Sequence, residues 1–306
     1  MKILIIGLGS IAKKHIAAIL KLYPETIFYA LRSNMNSKKS INVENVFNLN
    51  EIPLDIDFII ISNPTNLHAA TIKNIIYLNK PVFIEKPIFD RIEENIDLKN
   101  LIKNSAIKTY IACNMRFHPS LIFLKEYIKK SNKKINEVNV YCGSYLPTWR
   151  ENINYTESYS ANKARGGGVH LDLIHELDYA IWLFGFPLNY YSTKRKVSQL
   201  EIDSFDYCLY NLNYKEFNLS IILNYYRILP KREIEIVFED EILVCNLLNS
   251  EIKNSKNEII FVDNSYNINK TYLSQAEYFI NNLNSNEPYM NNFDESFNIL
   301  KIALHE

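Results

Sequence analysis

The sequence predicts an α/β domain, built on a parallel sheet with helices on both faces, followed by an α+β domain of mainly antiparallel strands. Three observations lead there. Short, continuous apolar runs alternate with amphipathic helical stretches through the first 118 residues. Beyond residue 119, apolar and polar residues alternate as they do in strands with one buried face. A length of 306 residues also suits two cores at roughly 100 to 200 residues per domain. The expected domains are 1–118 and 119–306.

The elements follow in order. Lys2 to Ile6 is an apolar strand, a glycine turn comes next, Ile11 to Leu22 has helical spacing, and Ile27 to Leu31 is a second strand. Strands Phe58 to Ser62, Val82 to Ile84 and Tyr110 to Ala112 then alternate with helices over His68 to Leu78 and Ile92 to Asn104. A helix from Ser120 to Lys130 opens the second half. Glu137 to Tyr145, Ser204 to Leu212, Asn218 to Tyr225, Glu233 to Phe238 and Ile259 to Val262 alternate as antiparallel strands. One continuous helix is expected over Val169 to Phe184, and two more over Tyr272 to Leu283 and Asp294 to Leu304. The polar stretch Asn246 to Glu258 is expected to be a hairpin loop.

Composition removes several function classes. Hydrophobic types make up 47% of the chain, which argues against disorder. The 34 basic and 34 acidic side chains cancel, leaving no field for a phosphate-backbone binder. Cys113, Cys142, Cys208 and Cys245 are far apart, and the six histidines form no spaced cluster, so no metal is expected. Separate thiols fit a reducing cytoplasm. The first apolar run is four residues long, far short of the roughly 20 of a membrane span, so neither a targeting segment nor a membrane partner is expected.

Glycine is scarce, with 7 residues where average usage of about 7% gives about 21, so the clusters that remain are informative. Gly7-Leu8-Gly9-Ser10-Ile11-Ala12 follows a strand and opens a helix, with Ala12 at the third small position of the dinucleotide fingerprint. Small residues there let the N–H groups of Gly9, Ser10 and Ile11 approach a pyrophosphate. Recognition of the NAD ribose needs an acid at the end of the second strand. The segment is instead Ala30-Leu31-Arg32-Ser33-Asn34, in which Arg32 and Ser33 suit a 2′-phosphate and favour NADP over NAD; the competing reading makes Arg32 a solvated or adenine-stacking residue. Asn63-Pro64-Thr65, with His68 beyond them, and Glu85-Lys86-Pro87 also follow strands, where open α/β sheets bind ligands.

Together with Gly166-Gly167-Gly168-Val169-His170-Leu171-Asp172-Leu173-Ile174-His175, these segments resemble the Gfo/Idh/MocA family of nicotinamide-dependent sugar oxidoreductases along the whole chain. The resemblance implies a Rossmann domain followed by a domain with a large open, mostly antiparallel sheet whose exposed face makes a homodimer or homotetramer. It implies that Asn63, Pro64, Thr65, His68, Glu85 and Lys86 border the cofactor. It also implies that Lys86 reaches toward the nicotinamide and the reacting hydroxyl, with Asp172 and His175 opposite. A cation there holds a developing alkoxide, and an imidazole exchanges a proton near neutrality. The competing readings are a carboxylate-paired Lys86 and a core or capping His175.

Asp172 and His175 are three apart where the family's commoner spacing is four, which leaves open whether Asp172 touches substrate or orients another group. Both spacings share a helix face. His170, about 140° away on that helix, reads as structural. Arg116, in Asn114-Met115-Arg116-Phe117-His118-Pro119, either binds a substrate carboxylate or phosphate or forms an interdomain salt bridge. Tyr145, Trp149, Tyr155 and Tyr159 can stack on a sugar or base, or simply pack, and Arg150 can meet phosphate. This segment resembles a subgroup from bacterial surface-polysaccharide loci.

The expected function is hydride transfer to or from a ring carbon of a sugar or sugar-nucleotide. The alternatives are a hydrolase or epimerase that retains its cofactor and oxidises transiently, and a noncatalytic dinucleotide sensor.

Overall fold

A computed structural model describes residues 1–36, 40, 42–92, 96–105, 107–151 and 153–305. The chain forms two compact units. The first joins Met1–Asn114 to Asn269–Asn298, and the second joins Met115–Ile268 to the last residues from Ile299. The division therefore falls at 114/115 rather than 118/119, and a late segment that the sequence places in the second domain belongs to the first unit.

The first unit holds a six-stranded sheet of β1 (Lys2–Ile6), β2 (Ile27–Leu31), β3 (Val43–Val46), β4 (Phe58–Ile61), β5 (Val82–Ile84) and β6 (Thr109–Ile111), in the order β3-β2-β1-β4-β5-β6. Every pair is parallel. Between strands run α1 (Ser10–Leu22), α2 (His68–Ile75) and α3 (Ile96–Asn104). Of the expected Ile92 start of α3, residues 93–95 lie outside the described residues. The apolar runs are continuous because both sheet faces are covered: all four residues of β4 are buried. β3 has no such signature, with Glu44 exposed at the sheet edge, and sequence reading missed it.

The second unit begins with α4 (Pro119–Ser131) and carries eight strands: β7 (Ile135–Tyr145), β8 (Asn189–Arg195), β9 (Tyr207–Asn213), β10 (Asn218–Asn224), β11 (Tyr226–Phe238), β12 (Ile242–Asn246), β13 (Glu251–Asn254) and β14 (Ile259–Val262). Their order is β14-β13-β12-β11-β7-β10-β9-β8. β7 and β10 run parallel and the other neighbours antiparallel. One face is buried, as Val138 and Val140, Leu219 and Ile221, and Ile234 and Ile236 show.

Two expectations are corrected here. The stretch 246–258 is not one loop, because β13 lies inside it; Ile252 is its one fully buried side chain and Glu251 pairs with Lys253 at 2.9 Å, so it has little apolar signal. The helix over 169–184 is not continuous either. α5 (Val169–Asp172) ends and α6 (Ile174–Phe184) begins at Leu173, whose φ −101° and ψ 27° leave helical geometry. Asp172 and His175 thus lie on opposite sides of a break. The shared-face argument from their spacing does not apply, nor does the helical angle assigned to His170.

The late segment contains α7 (Ile268–Asn281) and enters α8 (Phe293–Leu304). Its aromatic rings complete the first unit's core. Phe279 meets Phe58 at 4.9 Å and Phe83 at 5.3 Å between ring centroids, and Tyr289 meets Tyr110 at 5.7 Å.

Candidate functional site

In the first unit the expected cofactor residues gather at the carboxyl ends of β1, β4 and β5. The strand order reverses direction between β1 and β4, which is where open α/β sheets bind ligands. Gly7 has φ +93°, and a Cβ on it would stand 2.3 Å from the Asn63 backbone nitrogen, so no other residue fits there without a backbone shift. The same loop is tied by the Ser62 hydroxyl, which donates to the Gly7 carbonyl at 2.7 Å. A Cβ on Gly9 would meet nothing within 4 Å. Gly9 is also the N-cap of α1, with no side-chain cap and no acid in the first turn. Backbone donors at a helix start with open space beside them fit a pyrophosphate. Asn63 Nδ2 donates to Thr71 Oγ1 at 2.8 Å, while its buried Oδ1 has no hydrogen-bond partner among the described residues. That orphaned acceptor also fits a ligand at this loop. Arg32 and Ser33 follow β2, with the Arg32 backbone N–H donating to the Val46 carbonyl at 2.8 Å. Pro64 and Thr65 lead a short 3-10 turn into α2.

Two expected cofactor contacts turn out to be internal ties. His68 is buried with Nδ1 3.1 Å from the Ile88 carbonyl and Nε2 3.0 Å from the Asn63 carbonyl, so both ring nitrogens face backbone acceptors rather than a ligand. Burial holds its pKa below the ordinary value, against the pull of those carbonyls. Glu85 is 7% exposed and its carboxylate lies 2.5 Å from His15 Nε2 on α1. It joins α1 to the corner that carries Lys86, whose own N–H donates to the other Glu85 oxygen at 3.2 Å. Sequence reading missed His15; its partner is 70 residues away, and no local pattern joins them.

The second unit assembles a different arrangement. Asp172 is 7% exposed and accepts a hydrogen bond at 2.5 Å from the hydroxyl of Tyr225, a fully buried residue between β10 and β11. The Tyr159 hydroxyl bonds to the same carboxylate; the negative charge and burial together push its pKa well up. Tyr225 is pushed up by burial first and by Asp172 second. Trp149 packs edge-on against Tyr225 at 5.2 Å and donates from its indole to Ser144 at 2.9 Å, so its ring is part of the packing. The Arg150 guanidinium lies over the Tyr159 ring at 5.0 Å. Trp149, Arg150 and Tyr155 line one narrow pocket, and the Tyr155 hydroxyl accepts from the Glu201 N–H at 3.2 Å. Tyr145 ends β7 opposite Tyr226.

The triple glycine has a mechanical role. A Cβ on Gly167 would sit 2.1 Å from the Tyr159 carbonyl, so the turn carrying Tyr159 rests directly on the approach to α5. His175 is half-buried in the first turn of α6. That helix is held by two ion pairs, one buried and one whose arginine is partly exposed. Arg116 grips Asp178 with two bonds of 2.9 and 2.7 Å, and Arg232 meets Glu176 at 2.5 Å. Arg116 is 2% exposed and its carboxylate partner belongs to the same unit, so the salt bridge read from the sequence forms within the second unit rather than between domains. His170 is buried against Phe205, and burial drops its pKa to about 3, in keeping with a structural residue.

Comparison with known proteins supplies the family. Residues 1–111 match an oxidoreductase family with an NAD-binding Rossmann fold, and residues 125–237 match the same family's carboxy-terminal alpha/beta domain. The chain belongs to the Gfo/Idh/MocA family. Among its relatives, an uncharacterised oxidoreductase, sll0816, of Synechocystis is 30% identical over 135 residues, 43% of this chain and 35% of the relative. Inositol 2-dehydrogenase of Rhizobium meliloti is 27% identical over 136 residues, 44% of this chain and 38% of the relative. The chain thus aligns with little more than a third of either. Among solved structures, levoglucosan dehydrogenase in complex with NADH superposes with a TM-score of 0.85 at 17% identity, covering 99% of this chain and 95% of that one. WlbA dehydrogenase from Bordetella pertussis, in complex with NADH and UDP-GlcNAcA, gives 0.80 at 16% identity, covering 99% and 94%. At such identities the likeness is one of fold. It matches the Rossmann sheet and the mixed, mostly antiparallel sheet described above. Among the described residues no helix is long and apolar enough to cross a membrane.

Proposed function

We propose that this protein is a nicotinamide-dependent oxidoreductase that moves a hydride to or from a ring carbon of a sugar or sugar-nucleotide. The observation that carries the reading is the placement, at the carboxyl ends of β1 and β5 with β4 between them in one parallel sheet, of a helix start with open space beside Gly9 and the Glu85-Lys86-Pro87 corner braced by His15. Gly9, Ser10 and Ile11 hold the pyrophosphate through backbone N–H groups, and Asn63, Pro64 and Thr65 border the nicotinamide half. Arg32 and Ser33 hold the 2′-phosphate, which makes NADP the preferred cofactor. The bound nicotinamide supplies one chemical capacity, accepting or giving a hydride at C4. Lys86 stabilises the alkoxide that develops on the substrate oxygen, and His175 takes or returns the hydroxyl proton. The names of the structural neighbours, among them UDP-N-acetylglucosamine 3-dehydrogenase from Acidithiobacillus ferrooxidans, support a sugar or sugar-nucleotide as substrate. The outward face of the eight-stranded sheet supports a homodimer or homotetramer, which light scattering tests.

Absorbance at 340 nm, followed with NADP or NAD against a panel of free and nucleotide-linked sugars, tests the reaction. Net appearance or loss of reduced cofactor with one sugar is expected, and Lys86→Ala abolishes it while cofactor affinity stays within several-fold. Turnover that survives Lys86→Ala removes the residue from the chemistry. A cofactor that copurifies and shows no net redox change while substrate is consumed replaces this reading with transient oxidation.

A further inference from the structure

The hydride transfer drawn above uses Lys86 and leaves out the side chain that governs its neighbour. Glu85 is 7% exposed, and its Oε1 lies 2.5 Å from Nε2 of His15 in the second turn of α1. An ionised carboxylate only accepts, so the imidazole is the donor. His15 is itself 1% exposed, which keeps it from touching any ligand. Its ring is fixed edge-on by Phe83 at 4.8 Å and by Tyr272 of α7 at 5.8 Å between centroids. The second Glu85 oxygen takes the Lys86 backbone N–H at 3.2 Å, and the Glu85 N–H donates to the Ile61 carbonyl at 2.8 Å. Both carboxylate oxygens are therefore engaged, one by α1 and one by the peptide that leads into Lys86. Taking away the imidazole leaves a nearly buried carboxylate with one long hydrogen bond, and such a charge is costly until it finds another partner. The next side chain along the chain is the Lys86 ammonium.

We propose that His15 is a positioning residue for the hydride transfer: it holds the Glu85 carboxylate on α1, so that this charge does not compete with the substrate alkoxide for Lys86. A cation stabilises a developing negative charge in full only while the carboxylate beside it is held elsewhere. His15 acts through Glu85 and touches neither substrate nor cofactor. The bond spans 70 residues of sequence and joins the helix that starts beside the open space at Gly9 to the corner after β5. The helix that seats the pyrophosphate thus also carries the group that restrains Glu85. The inference rests on the oxidoreductase reading above for the role of Lys86, but the His15–Glu85 bond is a property of the protein alone.

The bond itself is tested in the unliganded protein labelled with nitrogen-15 histidine. The His15 Nε2–H is expected as a slowly exchanging proton resonance, assigned by its loss in His15→Gln, and a proton that exchanges freely with solvent overturns the proposal. Its role is tested with the sugar turned over in the assay above. His15→Leu is expected to lower kcat roughly 10- to 100-fold, the worth of a charge-assisted hydrogen bond. Calorimetric titration should find NADPH affinity within about threefold, because the pyrophosphate donors are backbone groups. The isotope effect with sugar deuterated at the reacting carbon should rise, whereas a residue that served folding alone would lower stability and the active fraction and leave that effect unchanged. His15→Gln, which keeps an N–H donor, should recover most of kcat. The double change His15→Leu with Glu85→Gln removes the stranded charge, so it should fold even where His15→Leu does not, and should bring kcat to within about tenfold of the unmodified protein. An undiminished kcat in His15→Leu, or a folded double variant slower than that limit, sinks this inference alone. Absence of turnover with every sugar in the unmodified protein removes the oxidoreductase reading and this inference with it.

Discussion

The two units prepare their functional residues by opposite means. In the first, the loops after β1, β4 and β5 are fixed largely through backbone groups: the Gly7 carbonyl takes the Ser62 hydroxyl, and the Asn63 and Ile88 carbonyls face the His68 ring. In the second, the segment from Trp149 to Asp178 is fixed by side chains bonded to one another, with Tyr225 and Tyr159 on Asp172, Arg232 on Glu176 and Arg116 on Asp178. A backbone-built site tolerates change in most side chains but not in chain path. A side-chain-built site can be retuned residue by residue, at the risk of stranding a buried charge.

The largest test of that contrast is Gly7→Ala. With φ +93° and a backbone nitrogen 2.3 Å from the new Cβ, the variant is expected to lose more than about 4 kcal/mol or fail to fold, read by urea unfolding. A stable Gly7→Ala protein would mean that the loops are not backbone-locked. Next comes Arg116→Ala, which leaves Asp178 buried and unpaired and should cost about 3–5 kcal/mol. The double change Arg116→Met with Asp178→Leu should recover most of that loss, because it removes both charges. Should Arg116→Ala leave stability unchanged and raise KM, Arg116 returns to the substrate side.

Acid sharpens the comparison at intermediate size. Burial holds His118 at about 4 and His170 at about 3, both below the ordinary 6.5 and both in the second unit. The unfolded chain therefore takes up these protons first, so the stability is fully present above about pH 6.5 and drains as pH falls. Each imidazole contributes a slope of up to about 1.4 kcal/mol per pH unit between roughly pH 6 and 4.5. Urea unfolding at pH 7, 5.5 and 4.5 should show this slope, and His170→Phe should flatten it by one proton's worth; equal slopes would place the His170 proton elsewhere. The smallest effects belong to Gly9→Ala and Arg32→Ala. The first should lower the melting temperature by no more than a few degrees, since alanine is a poorer N-cap than glycine by up to about 1 kcal/mol, while weakening cofactor binding roughly tenfold. The second should weaken NADP and leave NAD unchanged. Calorimetric titration checks both, and equal losses for the two cofactors would remove Arg32 from the 2′-phosphate.

The same contrast decides what could be read from the sequence. The alternating unit and its glycine turn were legible because both are local: an apolar run, two glycines and a helix lie within 22 residues. The Rossmann sheet was found, apart from the half-exposed edge strand β3. In the second unit Asp172, Tyr159 and Arg150 were noticed as residue types, but their partners were not. Tyr225 is 53 residues from Asp172 and Asp178 is 62 from Arg116, and no short-range pattern joins them. The break at Leu173 was equally hidden, since 169–184 is apolar in helical rhythm and its two halves are held by separate sets of buried partners. β8, β12 and β13 escaped for a related reason. β8, for example, alternates half-buried with exposed residues and has no fully buried position to mark it.

The return of residues 269–298 to the first unit has a consequence for biosynthesis. Phe279 and Tyr289 fill the centre of a core whose other rings, Phe58, Phe83 and Tyr110, leave the ribosome far earlier. A nascent chain that has just emitted β6 possesses every strand of its first sheet and still lacks the aromatic plug for it. That sheet must wait, with apolar surface open to chaperones and proteases, until residues 269–298 have been translated.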